Sequence, residues 1–114
     1  MAALLGCSGG GSSAKSGDVV DAVGVGLPDG KVSNLTISDG SVNFQVEASF
    51  EDLVSYYRND AQSKGLAERT LLTVINDSAI SIVFDGHASG KAVVIQMVTL
   101  SDGKTNVNIR LEDV

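Results

Sequence analysis

The residues able to do chemistry are few: one histidine, one cysteine and fourteen carboxylates in 114 residues. His87 lies in the run Gly86-His87-Ala88-Ser89-Gly90, with a hydroxyl two positions on. A Ser/His pair works as nucleophile and base only when its geometry aligns the two with a substrate. Flanking glycines instead predict a solvated turn histidine. A single histidine and a single cysteine cannot supply the nitrogen and sulfur ligands of a tetrahedral zinc site. Four of the aspartates precede glycine, at Asp29-Gly30, Asp39-Gly40, Asp85-Gly86 and Asp102-Gly103. Aspartate there stabilises turns through local hydrogen bonds. No segment has the spaced oxygen ligands of an EF-hand loop, and no glycine-rich loop follows a strand to open a helix over a phosphate. The expectation is therefore no catalysis, no metal and no cofactor.

Cys7 has a different context. Met1-Ala2-Ala3-Leu4-Leu5-Gly6 is short and apolar and ends in a small residue, the chemistry a signal peptidase needs. After it, residues 8–17 read Ser-Gly-Gly-Gly-Ser-Ser-Ala-Lys-Ser-Gly. Leu4-Leu5-Gly6-Cys7 resembles the lipobox of bacterial lipoproteins. That resemblance implies a signal peptide removed before Cys7, a lipid on its thiol and attachment to a membrane. A full signal peptide carries a basic region and an apolar stretch of about 7 to 15 residues, so the resemblance also implies a longer leader than residues 1–6 provide. Residues 7–17 then form a lipid-anchored Gly/Ser tether of about 16 to 19 Å. A serine after the cysteine implies, in a source with two membranes, the outer membrane.

What remains, residues 18–114, fits one domain on the prior of roughly 100 to 200 residues each. The whole chain has 43% hydrophobic residues but only 4% aromatic and no tryptophan, so the domain's core must be aliphatic. The net charge of −6 repels phosphate backbones, which excludes nucleic acid as an expected partner.

The elements follow from periodicity. Val42, Phe44, Val46 and Ala48 alternate with Asn43, Gln45 and Glu47, a strand with one dry and one wet face. Leu35 and Ile37 pair with it across Asp39-Gly40, a dipeptide suited to a type I′ hairpin turn. At Ser49 the period changes. Ser49 and Asp52 have capping-box spacing, Phe50, Leu53, Val54, Tyr57 and Ala61 recur at three and four residues, and Gly65-Leu66 closes the run. This predicts a helix over about residues 50–64. Strands follow around Leu72 and Val74, Ile80 to Phe84, Val93 to Met97, and Val107 to Leu111. The fold expected is α+β, an antiparallel sheet of about six strands with one amphipathic helix on one face, in the order ββαββββ.

Two surfaces stand out. Val94, Val98 and Leu100 make the strand at 92–100 apolar on both sides. Either residues 18–30 cover the second side, or it is an exposed patch for a partner. Asn43, Gln45, Glu47, Asn106, Asn108 and Arg110 share the wet side of the sheet and are the candidate binding residues. The run from Leu27-Pro28-Asp29-Gly30 through Phe50-Glu51-Asp52-Leu53-Val54-Ser55-Tyr56-Tyr57 to Gly65-Leu66 resembles small, largely uncharacterised exported bacterial lipoprotein domains, over residues 27 to about 111. The expected function is a lipid-anchored cell-envelope module that binds a protein or the cell wall. The alternative is a carrier holding a small apolar ligand between helix and sheet.

Overall fold

The computed structural model describes residues 11–113, so the lipobox-like tetrad and Cys7 lie outside the described residues. The chain runs α1 (Gly11–Val23), β1 (Val32–Ser38), β2 (Ser41–Val46), α2 (Phe50–Ser63), β3 (Ala67–Glu68), a 3-10 turn (Thr70–Leu72), β4 (Val74–Ile75), β5 (Ala79–Asp85), β6 (Ala92–Thr99) and β7 (Thr105–Glu112). The fold is α+β, with one antiparallel sheet ordered β1-β2-β7-β6-β5-β3; β4 also pairs with β5. The expected ββαββββ core is present. It is extended by α1 at the start and by β3 after α2, giving seven strands and two helices.

Helix α2 starts and stops where its sequence dictates. The Ser49 hydroxyl accepts the Asp52 N–H at 3.2 Å, satisfying one donor left free by the first turn. At the other end Leu66 N–H reaches Ala61 C=O at 2.9 Å and Gly65 N–H reaches Gln62 C=O at 3.1 Å, a Schellman closure. Gly65 takes φ +80°, the left-handed conformation that this closure needs. The apolar stripe then puts Leu53, Tyr57 and Ala61 against the sheet.

Helix α1 replaces the tether expected over residues 7–17, from Gly11 onward. Its composition has little helical preference. It is held instead by tertiary packing, since Val19 and Val23, four residues apart, are fully buried beside Val25. Both helices therefore lie on one face of the sheet. There they cover Val42, Phe44 and Val46 of β2, Ile82 of β5, Val93, Ile95 and Met97 of β6, and Val107 and Ile109 of β7. Val25, Leu27 and the two α1 valines all join this core, so residues 18–30 do not cover the second side of β6. On that side Val94 is buried in a small cluster with Val83 and Ala92, whereas Val98 is 46% exposed.

The turns differ from expectation in one respect. Asn34 is the one non-glycine residue with positive φ among those described, so the aspartates of the Asp-Gly turns keep negative φ and the turns are not type I′. Asn34, at φ 54°, marks a β-bulge between Ser33 and Thr36, where β1 spends one residue more than β2.

Candidate functional site

The uncovered face of the sheet carries the polar residues that period-two alternation assigns to it. Register brings Asn43 of β2 opposite Asn108 of β7, Gln45 opposite Asn106, and Gln96 of β6 opposite Asn108. Asn43 and Asn106 exchange amide hydrogen bonds in both directions: Asn43 Nδ2 donates to Asn106 Oδ1 at 3.2 Å, and Asn106 Nδ2 donates to Asn43 Oδ1 at 3.1 Å. Asn108 Nδ2 donates to the same Asn43 oxygen at 3.3 Å. From the β7 side, Arg110 Nη1 donates to Asn108 Oδ1 at 3.0 Å and crosses to Gln96 Oε1 at 2.8 Å, while its Nε donates to Glu112. At the opposite edge Asn34 Nδ2 donates to Gln45 Oε1 at 2.9 Å.

Of the six candidate residues, the structure joins Asn43, Asn106, Asn108 and Arg110 into one network. Gln45 sits beside them on the same face, tied to the bulge. Glu47 does not belong: it lies past the end of β2, exposed, and lines a cleft of about 400 Å³ with Pro28, Asp52 and Tyr56. Sequence reasoning missed Gln96, although its place between Val94 and Val98 in a period-two strand puts it on the polar face. It also missed Asn34, which reaches the face only through the bulge. Ser33, on the same side of β1, has a buried hydroxyl oxygen with no hydrogen-bond partner.

This surface can do recognition rather than bond-making. Amide groups present a donor and an acceptor side by side and suit peptide groups or hydroxyls. The Arg110 guanidinium adds the one positive charge of the network, balanced by Glu112.

The remaining reactive groups are placed elsewhere. His87 Nδ1 accepts the Ser89 N–H at 3.0 Å and lies 2.8 Å from Ser89 Oγ, which in turn accepts the Lys91 N–H at 3.2 Å. The imidazole thus serves to close its own loop. Tyr57 is buried, and burial pushes its phenol well above 10.0, with Tyr56 and Asp60 adding to the shift. Tyr56 meets it edge to face, ring centres 4.9 Å apart. Burial, then Asp60 and Asp29, push the Tyr56 phenol up to about 12. Both phenols stay neutral at physiological pH. Near the sheet edge the Arg58 hydrogen bonds hold Glu68 below the usual carboxylate range against the opposing effect of burial, and Arg69 forms a two-pronged pair with Asp85.

Beneath the buried stripe of α2, Leu53, Tyr57, Phe44 and Ile82 are each 1% exposed or less, and a groove of about 470 Å³ runs between α2 and the sheet edge beside Phe50, Val54, Ile75 and Ile80. Among the described residues no group of three or more His, Cys, Asp or Glu could hold a metal, and no helix is long and apolar enough to cross a membrane. No protein-family model, curated protein or solved structure matches the chain.

Proposed function

We propose that the chain is a non-enzymatic binding module of the cell envelope, anchored through a lipid on Cys7, that engages a protein or cell-wall partner with the open face of its sheet. The observation that carries the reading is the reciprocal Asn43–Asn106 amide pair and its extension through Asn108 and Arg110 to Gln96. Both helices pack on the other face, so an array of mutually bonded amides and one guanidinium spans three strands with no layer over it among the described residues. Side chains held by one another meet a partner with little further ordering cost. The acidic net charge suits a domain that stands off an anionic membrane surface instead of lying on it.

Two measurements test the two halves of this proposal. Metabolic labelling with a palmitate analogue should mark the chain produced from its native gene, and Cys7→Ala should abolish the label; a labelled Cys7→Ala protein removes the anchor. Separately, the Asn43→Ala/Arg110→Ala double variant should lose cosedimentation with purified cell wall, or photo-crosslinks to envelope proteins, while retaining its melting temperature to within a few degrees. Wild-type retention by a folded double variant would sink the sheet-face reading.

A further inference from the structure

The sheet has a second unusual surface, at its β5 edge. The covering strand there is broken: β3 and β4 pair with the two ends of β5, and a 3-10 turn interrupts them. In the run Leu71-Leu72-Thr73-Val74-Ile75 every apolar side chain is exposed, Leu71 by 95%, Leu72 by 40%, Val74 by 57% and Ile75 by 56%. An uncharged edge of this kind is one that proteins ordinarily blunt with charge or proline.

The backbone at this edge is open for pairing. Asn76 N–H bonds Ala79 C=O at 3.1 Å, and Val74 and Ile75 stand opposite Ser81 and Ile80. Hydrogen-bonded and non-hydrogen-bonded pairs alternate in an antiparallel ladder, so Val74 turns its peptide groups toward β5 and Ile75 turns its own outward. By that alternation the Ile75 N–H and C=O lie on the outer side of the ladder, away from β5.

A hollow flanks β4 on each face. On the helix side a groove of about 470 Å³ has Phe50, Val54, Ile75 and Ile80 in its floor and Glu51 and Asp77 in its rim. On the far side one of about 180 Å³ lies among Val74, Ala79, Ser81 and Val98. Side chains of an added strand alternate between these two faces. The charges are also one-sided. Arg58, the cation in the larger groove, is committed to Glu68, whereas Glu51 and Asp77 have no ion-pair or hydrogen-bond partner among the described residues.

We propose that the β4 edge takes an extended segment of a partner protein by strand addition, in which Lys or Arg alternates with Val or Ile. Its backbone pairs with Ile75. Its basic residues lay their methylene stems over Phe50 and Val54 and bring their charges to Glu51 and Asp77. Its aliphatic residues fall on the far side beside Val74 and Val98. On the far side this surface adjoins the amide network at Gln96, which lines the smaller hollow, whereas Glu51 and Asp77 lie in the helix-side groove, so replacing them tests this site alone.

The test is selection of random ten-residue segments displayed on phage against the intact chain, followed by amide hydrogen exchange with the best binder. Enriched segments should alternate basic and β-branched residues, and the Ile75 amide should exchange about tenfold more slowly at saturation. Glu51→Gln/Asp77→Asn, two exposed positions, should weaken basic binders about fivefold and leave neutral analogues unchanged. Ile75→Pro, which deletes an outward N–H and no ladder bond, should abolish binding. An absence of enrichment, binders without basic residues, or an Ile75 amide that exchanges as in the free chain would each overturn the proposal. So would protection of Ile75 that appears on raising the protein concentration alone, which would identify a second copy as the occupant.

Discussion

Tyr57 and Asp60, one turn apart on α2, hold the two polar groups of a single residue: the Tyr57 hydroxyl donates to Gly26 C=O at 3.2 Å, and Asp60 Oδ2 accepts Gly26 N–H at 2.9 Å. Gly26 is buried and lies three residues beyond α1, so this grip ties α1 to α2 where no regular ladder could. Asp60 also accepts from Lys64 Nζ at 2.6 Å, which fixes its carboxylate.

Tyr57→Phe should therefore destabilise the domain by about 1 to 3 kcal/mol, because it strands a buried carbonyl as well as losing a hydrogen bond. In a domain of this size each 1 kcal/mol lowers the melting temperature by about 4 to 8 °C. Asp60→Ala should show coupling to Tyr57→Phe in a double-mutant cycle by urea unfolding. Strict additivity would mean that the two bonds act independently.

Both tyrosines should resist alkali. The Tyr56 phenol is raised from 10.0 to about 12, so its neutral form is favoured by the fold. The stability it contributes is complete below the unfolded value and is lost as pH rises through about 12. Phenolate absorbance of the folded protein should appear only near that pH, and a midpoint close to 10 for either ring would contradict the burial.

Two glycines separate backbone strain from collision. Gly65 has φ +80° and open space where an added methyl would point, whereas Gly24 has φ +90° and a Cβ there would lie 2.7 Å from His87 Cδ2. Gly65→Ala should cost about 1 kcal/mol and Gly24→Ala clearly more. Adding His87→Ala to Gly24→Ala should recover the excess. Equal costs for the two glycines would show that His87 yields freely.

Acid should act partly through Glu68. Its carboxyl is lowered from 4.5 by Arg58, so the pair stabilises above the unfolded value and the contribution disappears as pH falls through the lower folded value. Arg58 is 45% exposed, which keeps the effect below about 1 kcal/mol. The stability gap between wild type and Arg58→Met should close on acidification; a gap that widens would reverse the assignment.

On the polar side of β6 the two valines should part company. Val94→Thr places a hydroxyl in the cluster with Val83 and Ala92 and should cost about 1 kcal/mol or more. Val98→Thr, at a half-exposed site, should stay within about 0.5 kcal/mol in thermal unfolding.

The readable parts of the chain were those whose local signals agree with their tertiary role. Ser49, the Leu53/Tyr57/Ala61 stripe and Gly65-Leu66 all specify α2, and strict alternation in β2 and β7 assigns Asn43, Asn106, Asn108 and Arg110 to one face. Helix α1 was illegible because Gly, Ser and a single buried valine pair leave no stripe, and its helicity comes from packing on a sheet built far along the chain. Glu47 was misplaced because alternation continues one residue beyond the ladder. The β3–β4 interruption was hidden for a related reason: Leu72 and Val74 read as one strand, yet Leu71, Leu72, Val74 and Ile75 all face outward around a 3-10 turn.

The place of β7 between β2 and β6 also orders events in time. Asn43 and Asn106 are 63 positions apart, and β1–β2 and β5–β6 share no ladder except through β7. Each hairpin can close early, but the sheet is two separate halves until residues 105–112 arrive, and such distant pairing is slow to nucleate. A chain threaded through a narrow channel in the order of its synthesis would thus reach the far side still unassembled, and would acquire its amide face and its shape in the same late step.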